Sequence, residues 1–166
     1  MPYLCIATGK QYAVNLIGEY RVKLDSKGRL TLPVALLRQL PEGADPRFVV
    51  NRGFEQCLTI YPYDEWNRLV RQIKESTNPF SQKHRMFIRN FFRGATVVQP
   101  DKMQRILIPK HLLDYAGITN EAVLFAHFGQ IEVWSPERYE QALNIPADEL
   151  AQLAEEVMTK SNGDGT

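Results

Sequence analysis

The chain has 166 residues, of which 44% are hydrophobic and 23% are charged, and its formal net charge is +1. These values are typical of a soluble protein with one domain or two small ones, and they mean that any nucleic-acid partner must be recognised through local charge. Because no apolar stretch approaches the roughly 20 residues that cross a bilayer, and the N-terminus lacks the features of a secretory signal, we expect a cytoplasmic protein.

The first predicted elements follow residues 1–17, for which two interpretations stay open: a poorly ordered extension, or the translation of an upstream start codon. Apolar residues at positions 20, 22 and 24 alternate with Arg21 and Lys23, which is the pattern of a half-buried strand. After a turn, residues 30–32 form a second short strand. Pro33 then suits the first turn of a helix, where its missing N–H matters least.

The stretch LDSKGRLTLP, residues 24–33, predicts a tight hairpin. The carboxylate of Asp25 can accept a hydrogen bond from the backbone N–H two residues on, and Gly28 suits a position with positive φ. Together they are typical of a three-residue hairpin loop with a bulge. Lys27 and Arg29 flank the glycine, so the loop projects two bases. Taken alone, the motif also fits an ordinary exposed hairpin with solubilising charges.

A second hairpin and two amphipathic helices follow in the chain. Residues 48–50 and 58–61 are predicted strands around a turn that contains Gly53. From Pro62, apolar residues recur at the spacing of one helical face: Trp66, Leu69, Val70 and Ile73. A further helical pattern covers Phe80 to Phe92. We expect its phenylalanines to face the core, and a subunit interface is the alternative.

The chain then repeats the first unit at a constant offset of 76 residues. Asp25 aligns with Asp101, and Arg29 aligns with Arg105. The other aligned pairs are Gly18 with Gly94, Leu30 with Ile106, Leu32 with Ile108, Pro33 with Pro109, Leu36 with Leu112, and Leu37 with Leu113. Because a unit this small buries little surface alone, we predict that the two units share one barrel-like core.

The repeat divides the chain into predicted segments. These are an extension at 1–17, a first unit at 18–64, a helical linker at 65–92, a second unit at 93–137, and a C-terminal helix and tail at 138–166. Leu150, Leu153 and Val157 lie on one face of the C-terminal helix, and we expect the final six residues to be disordered. The acidic helix either covers the barrel or pairs with a basic neighbouring subunit.

Charge is distributed unevenly along the chain. Residues 18–38 contain five bases and two acids, whereas residues 137–166 contain seven acids and two bases. The bases of the first segment are Arg21, Lys23, Lys27, Arg29 and Arg38. Because a clustered basic face is the electrostatic signature of nucleic-acid binding, we predict that the first turn faces DNA, with Arg105 as its counterpart in the second unit.

Other kinds of site find no support in the sequence. Two cysteines are too few for a disulfide scaffold, and the three histidines lie far apart without a second ligand at metal-binding spacing. Ser26 lacks the G-x-S-x-G setting of a hydrolase nucleophile, and no G-x-x-x-x-G-K-[ST] phosphate loop is present. Asp25 and Asp101 are explained as turn formers. We therefore predict no metal, no cofactor and no enzymatic activity.

These motifs resemble a known family of DNA-binding proteins. A strand, then Asp-x-x-Gly-Arg, an aliphatic pair and a Pro-started helix resemble the AbrB-type swapped-hairpin domain. Two copies, with GEYRVKLDSKGRLTLP opening the first and FFRGA the second, resemble the MraZ family of tandem SpoVT-AbrB-type domains from Gly18 to about Met158. The resemblance implies an α+β, mainly β fold in which two swapped-hairpin half-units form a pseudo-twofold small β-barrel flanked by helices.

The resemblance also implies a function. It implies a cytoplasmic, nucleoid-associated regulator that represses a division and cell-wall gene cluster from short promoter repeats. Its partners would be double-stranded promoter DNA and further copies of itself, assembled in a ring, with no membrane. The predicted DNA-binding residues are Ser26, Lys27 and Arg29 in the first loop, Arg21 and Lys23 on the preceding strand, and Lys102 and Arg105 in the second unit. The predicted turn formers are Asp25, Gly28 and Asp101.

The second loop departs from the family pattern at one position. Gln104 stands where the family usually has a glycine before its arginine. A non-glycine residue in the left-handed conformation costs about 1–2 kcal/mol. We therefore expect this loop to adopt another turn, to aim Arg105 differently and to contribute less to DNA binding than Arg29.

A protein-interaction module is the alternative to a promoter-binding regulator. AbrB-type antitoxins bind DNA but chiefly neutralise a toxin, and they carry one hairpin unit with a long unstructured acidic tail. This chain has two units, and its final segment has helical periodicity, which favours the regulator.

Overall fold

The computed structural model describes residues 14–159. These residues belong to two compact units, one ending at Pro136 and the other beginning at Glu137. The poor order predicted for residues 1–13 and for the last six residues falls outside the described part of the chain. Between residues 14 and 159, no helix has the length and apolar character that crossing a membrane requires.

Strands dominate the first unit, and helices make up the second. The strands are β1 (Gly18–Lys23), β2 (Arg29–Thr31), β3 (Phe48–Arg52), β4 (Leu58–Pro62), β5 (Thr96–Val98), β6 (Arg105–Leu107), β7 (Glu121–His127) and β8 (Gln130–Trp134). The helices are α1 (Val34–Leu37), α2 (Tyr63–Ser76), α3 (Gln82–Phe91), α4 (Lys110–Ala116), α5 (Pro136–Ala142) and α6 (Ala147–Thr159). The fold is α+β and mainly β, as predicted.

The strands form a six-stranded antiparallel sheet and a separate two-stranded ribbon. The order in the sheet is β1-β7-β8-β4-β3-β5, and the ribbon pairs β2 with β6. When each strand is replaced by its counterpart in the other repeat, the same sheet order is obtained in reverse. The two repeats are therefore related by a pseudo-twofold axis. The first strand of each repeat pairs with the third strand of the other. Among the described residues, these pairings end at β1 and β5 and do not close the predicted barrel.

Equivalent positions of the two repeats fill the core. Leu30 of β2 lies directly opposite Ile106 of β6, and neither side chain is exposed. The matched positions that follow are also at most 2% exposed, namely Leu32 with Ile108 and Leu36 with Leu112. The aligned apolar residues therefore lie beneath the ribbon, and the residues that alternate with them face outward.

Residues 14–17, which we assigned to an N-terminal extension, are attached to the first unit. The side chain of Leu16 is 1% exposed, and its backbone N–H donates to the carbonyl of Phe128. The backbone N–H of Val14 donates to Oε1 of Glu65 at 3.1 Å. The side chain of Gln39 holds the backbone of Ile17 through both its N–H and its carbonyl.

The phenylalanines of α3 are placed differently from our prediction. No residue of α3 is buried, and Phe80, just before it, is 90% exposed. The contacts of the helix concentrate at its C-terminal end, where Phe91 and Phe92 pack on Trp66 of α2 at centroid distances of 6.2 and 5.5 Å. The core prediction is wrong for the outer side of α3, which includes Phe87, because the aromatic contacts of the helix with α2 lie at its C-terminal end.

We expect truncation of either central ribbon residue to destabilise the fold. Leu30→Ala and Ile106→Ala should each lower the free energy of unfolding by about 2–5 kcal/mol, because each removes a fully buried side chain and leaves a cavity. Urea denaturation of the purified variants measures this change. Leu107→Ala is the matched control, since Leu107 is 54% exposed, and it should change stability by less than about 0.5 kcal/mol. Equal stability of all three variants would contradict this core.

Candidate nucleic-acid interface

The outward face of the ribbon carries an arginine at each end. The register pairs Arg29 with Leu107 and Thr31 with Arg105, on either side of the buried central pair. Because side chains alternate across a strand, these four residues share the face opposite the core. Thr31 and Leu107 are exposed, and the side chains of Arg29 and Arg105 are 31% and 30% exposed.

Two loops precede the ribbon strands, and we call residues 25–29 the first loop and residues 101–105 the second loop. Since β2 and β6 are antiparallel, the loops lie at opposite ends of the ribbon. The backbone N–H of Leu32 donates to the carbonyl of Gln104 at 2.9 Å, and that of Ile108 donates to the carbonyl of Gly28 at 3.1 Å. Each loop is therefore held by the backbone of the other repeat.

Asp25 organises the first loop. Its Oδ1 accepts from the backbone N–H of Lys27 at 2.9 Å and from that of Arg29 at 3.0 Å. Its Oδ2 accepts from Nε of Arg29 at 2.6 Å. The backbone N–H of Gly28 donates to the carbonyl of Asp25 at 3.1 Å, and Gly28 has a φ of +83°. The loop thus fixes the direction of the Arg29 guanidinium.

Asp101 organises the second loop in the same way. Its Oδ1 accepts from the backbone N–H of Met103 at 2.9 Å and from that of Arg105 at 3.0 Å, and its Oδ2 accepts from Nε of Arg105 at 2.8 Å. Gln104 occupies the position of Gly28, with a φ of +60°. The expectation of a different turn is therefore wrong, because the carboxylate imposes the same loop although a glycine is absent.

The surroundings explain why one loop requires glycine and the other accepts glutamine. A Cβ at Gly28 would lie 3.0 Å from Cδ1 of Leu113 and 3.2 Å from the carbonyl oxygen of Ile108. Gln104 instead borders an open groove lined by Leu37, Leu40 and the segment 41–46. The groove leaves room for a side chain, so Gln104 bears only the backbone cost of about 1–2 kcal/mol.

The electrostatics of the loops keep both aspartates charged. The backbone N–H of Arg29 lowers the pKa of Asp25 from 3.8 to about 2, and the Arg29 side chain acts in the same direction. The backbone N–H of Arg105 lowers the pKa of Asp101. Each charged carboxylate holds its arginine through Nε. Within residues 14–159, the Nη atoms of both arginines have no hydrogen-bond partner.

This arrangement suits the recognition of an anion or a base edge. A guanidinium is a planar fork that can bind a phosphate, or O6 and N7 of guanine, through two parallel hydrogen bonds. Because Asp25 already fixes the orientation of Arg29 through Nε, less side-chain freedom is lost on binding. Lys27 and Lys102 are exposed and add one positive charge to each loop.

The other predicted site residues lie in two places. Ser26 is exposed in the first loop beside Lys27. Arg21 and Lys23 lie on the exposed side of β1, which belongs to the six-stranded sheet rather than to the ribbon. Lys23 is in register with Glu121 of β7. The ribbon therefore unites the two loop arginines, whereas the two strand bases lie in the other sheet.

Two residues of the outward face, Thr31 and Leu107, were absent from the predicted site. The alternation Arg-Leu-Thr in β2 and Arg-Ile-Leu in β6 was the available signal, because it places the first and third residues together. That signal covers only three residues in each strand, and it identifies a shared face only once the two strands are known to pair.

We expect opposite effects from exchanging the residues before the two arginines. Gln104→Gly should raise the free energy of unfolding by roughly 0.5–1 kcal/mol, because relief of the left-handed strain exceeds the entropy that a glycine adds to the unfolded chain. Gly28→Gln should lower it by at least about 1–2 kcal/mol, since the new side chain also meets Leu113. Chemical denaturation tests both, and destabilisation by Gln104→Gly would contradict the left-handed strain at that position.

We also expect Asp25 to titrate near pH 2. Its pKa in the folded chain lies below its ordinary value of 3.8. The stability that its ionised form contributes is therefore complete above pH 3.8 and is lost as the pH falls toward about 2. Carboxyl carbon shifts followed by NMR measure the titration, and Lys27→Ala serves as a control that keeps the loop bonds. A midpoint at 3.8 would show that the Asp25–Arg29 contact is absent in solution.

Comparison with known proteins gives the family of the chain. The family model described as "MraZ protein, putative antitoxin-like" matches residues 16–90 and again residues 91–161. The protein named transcriptional regulator MraZ of Christiangramia forsetii is 43% identical over 153 residues, which cover 92% of this chain and 98% of that protein. Its namesake in Flavobacterium psychrophilum is 39% identical over 90% of this chain and 96% of its own length. The double match confirms the predicted repeat, and the chain belongs to the MraZ family.

Proposed function

We propose that the chain is a sequence-specific DNA-binding transcriptional regulator. The observation that carries this proposal is the ribbon face with an aspartate-fixed arginine at each end, since a two-stranded ribbon fits the major groove of B-DNA. The names of the relatives, all transcriptional regulators, support the same conclusion.

In this proposal, each type of residue in the two loops has its own role. The Nη atoms of Arg29 and Arg105 bind guanine edges or phosphates, and Lys27 and Lys102 act as point charges on the phosphate backbone. Leu107, exposed directly across the ribbon from Arg29, can contact the methyl group of thymine. Ser26, Arg21 and Lys23 complete the predicted set, with the two strand bases contributing to the positive field rather than to base reading.

Binding through one chain is too weak to select a promoter. A good base-reading pair gives about 1–3 kcal/mol of discrimination, so two arginines provide only modest specificity. We propose that several copies assemble as a homo-oligomer, in a ring, and that one bound copy raises the effective concentration of the next. Such an assembly would match short repeats in a promoter, repress its own division and cell-wall gene cluster by excluding RNA polymerase, and act in the cytoplasm on the nucleoid.

An antitoxin-like interaction module is the second candidate, because the matching family model carries the words "putative antitoxin-like". In that case the chain would bind a small toxin and DNA together. The tandem repeat and the helix α6 favour the regulator, since an antitoxin of this type has one unit and an unstructured tail. A stoichiometric small protein that co-purifies with the tagged chain would favour the antitoxin instead.

We expect both loop arginines to be needed for promoter selection. Arg29→Ala should weaken binding to the DNA upstream of the chain's own gene by roughly 5- to 100-fold relative to a scrambled sequence. Arg105→Ala should have a similar effect, because the two loops have the same hydrogen bonds. Fluorescence anisotropy at fixed salt measures both affinities. Unchanged promoter preference in either variant would remove that arginine from the proposed readout.

Two control variants separate charge from geometry. Arg29→Lys keeps the charge but loses the planar fork, and it should behave like Arg29→Ala on the promoter. Lys27→Ala should instead weaken binding to all sequences alike and lower the dependence of log K on log salt by about one. Binding by the wild-type chain that ignores sequence would contradict the proposed regulator.

A further inference from the structure

The two loops share one backbone arrangement but present different side chains at the same loop position. Lys27 and Met103 are equivalent, and the backbone N–H of each donates to Oδ1 of its loop aspartate at 2.9 Å. In both loops the next residue closes the turn, because its N–H donates to the carbonyl of that aspartate. Since the backbones match, the side chain of Met103 leaves the second loop where that of Lys27 leaves the first.

Met103 is exposed although it is apolar. It is 67% exposed, and the lysine of this loop stands one position earlier, at Lys102, where the first loop has Ser26. Single exposed apolar residues are ordinary on a protein surface, so exposure alone gives Met103 no function. Its place in the fold does, because Met103 belongs to the loop that holds Arg105 at one end of the outward ribbon face.

A second exposed apolar residue lies at the same end of the ribbon. The backbone N–H of Leu32 donates to the carbonyl of Gln104, which places the start of α1 beside the second loop. Val34, the first residue of α1, is 56% exposed. Its equivalent in the other repeat is Lys110, which begins α4 beside the first loop. The repeats therefore differ twice in the same way, with lysine at the first-loop end and an apolar residue at the second-loop end.

We propose that Met103 is a specificity-determining residue that contacts the methyl group of a thymine close to the base read by Arg105. The inference rests on the proposed function, and it adds a base contact made by an uncharged residue. Thymine presents its C5 methyl group in the major groove, where an apolar side chain can recognise it. Methionine is unbranched and flexible, so its side chain adapts to such a group. Lys27, at the equivalent position, meets phosphate, which carries no sequence information.

The geometry of the chain limits where this thymine lies. Met103 and Arg105 are two residues apart, so their Cα atoms are at most about 7 Å apart. Successive base pairs are spaced by about 3.4 Å, so two steps along the duplex span the same distance. The thymine should therefore lie within about three base pairs of the position at which Arg105→Ala relaxes base selection.

Deoxyuridine substitution tests the contact, because uracil differs from thymine only in lacking the methyl group. The thymines in a duplex of the DNA upstream of the chain's own gene are replaced one at a time, and fluorescence anisotropy measures the affinity at fixed salt. We expect the wild-type chain to lose about 2- to 4-fold in affinity at a position near the Arg105 contact, the effect of one methyl group. Met103→Ala should bind the thymine and uracil duplexes equally at that position. A loss that persists in Met103→Ala, or no loss in the wild-type chain, overturns the proposal.

Two further substitutions separate the apolar contact from the structure of the loop. Met103→Leu keeps an apolar side chain and should still prefer thymine to uracil. Met103→Lys copies the first loop, and it should lose this preference while binding all sequences more tightly through phosphate. Because Met103 is exposed, circular dichroism should show an unchanged fold for each variant. An undiminished preference for thymine in Met103→Lys overturns the proposal.

Leu107 is the competing source of a methyl contact, and it lies across the ribbon from Arg29. Leu107→Ala should leave the preference at the Met103-dependent position intact. If Leu107→Ala abolishes that preference and Met103→Ala does not, the contact belongs to Leu107 and the proposal is overturned. Failure of the proposed function is distinguishable, because it appears as a wild-type chain without promoter preference. Failure of this inference alone leaves the promoter preference and its dependence on Arg29 unchanged.

Discussion

The bonding of one aspartate to the loop around it is the constraint on which the candidate interface depends. In each loop the carboxylate accepts two backbone N–H groups and one guanidinium Nε. An exposed ion pair of this kind contributes little to stability. Its consequence is directional, because the same carboxylate that sets the turn also sets the orientation of the arginine. The turn and the arginine are therefore a single structural unit.

The ribbon in turn fixes the distance between the two loops and therefore between their arginines. Bonds from Leu32 to Gln104 and from Ile108 to Gly28 tie each loop to the opposite repeat. The six-stranded sheet also depends on both repeats, since the first strand of each repeat pairs with a strand of the other. Neither repeat has its full set of strand partners alone. Duplication within one chain thus fixes both the fold and the spacing of the two loops.

The sequence predicted those features that depend on local chemistry. The repeat, the turn at Asp25 and Gly28, and the buried aligned positions can all be read from residue types and spacing. The conformation of Gln104 could not be predicted from the sequence, because it depends on a groove formed by residues 37–46, which lie far from Gln104 in sequence. The exposure of Phe87 could not be predicted either. An amphipathic pattern shows that a helix has an apolar face, but it does not show whether another part of the protein covers that face. Strand pairing across the repeats, which leaves the sheet open at β1 and β5, is similarly non-local.

The near-neutral net charge of +1 conceals an uneven distribution of charge, with five bases and two acids in residues 18–38 and seven acids and two bases in residues 137–166. DNA binding releases condensed counterions, so its affinity falls linearly with the logarithm of salt concentration. The bases of both candidate loops lie on or beside the ribbon, so the field at the ribbon face is set by local charge and not by the net charge of the chain. A salt series therefore reports on the ribbon face, although the net charge alone would predict almost no dependence on salt.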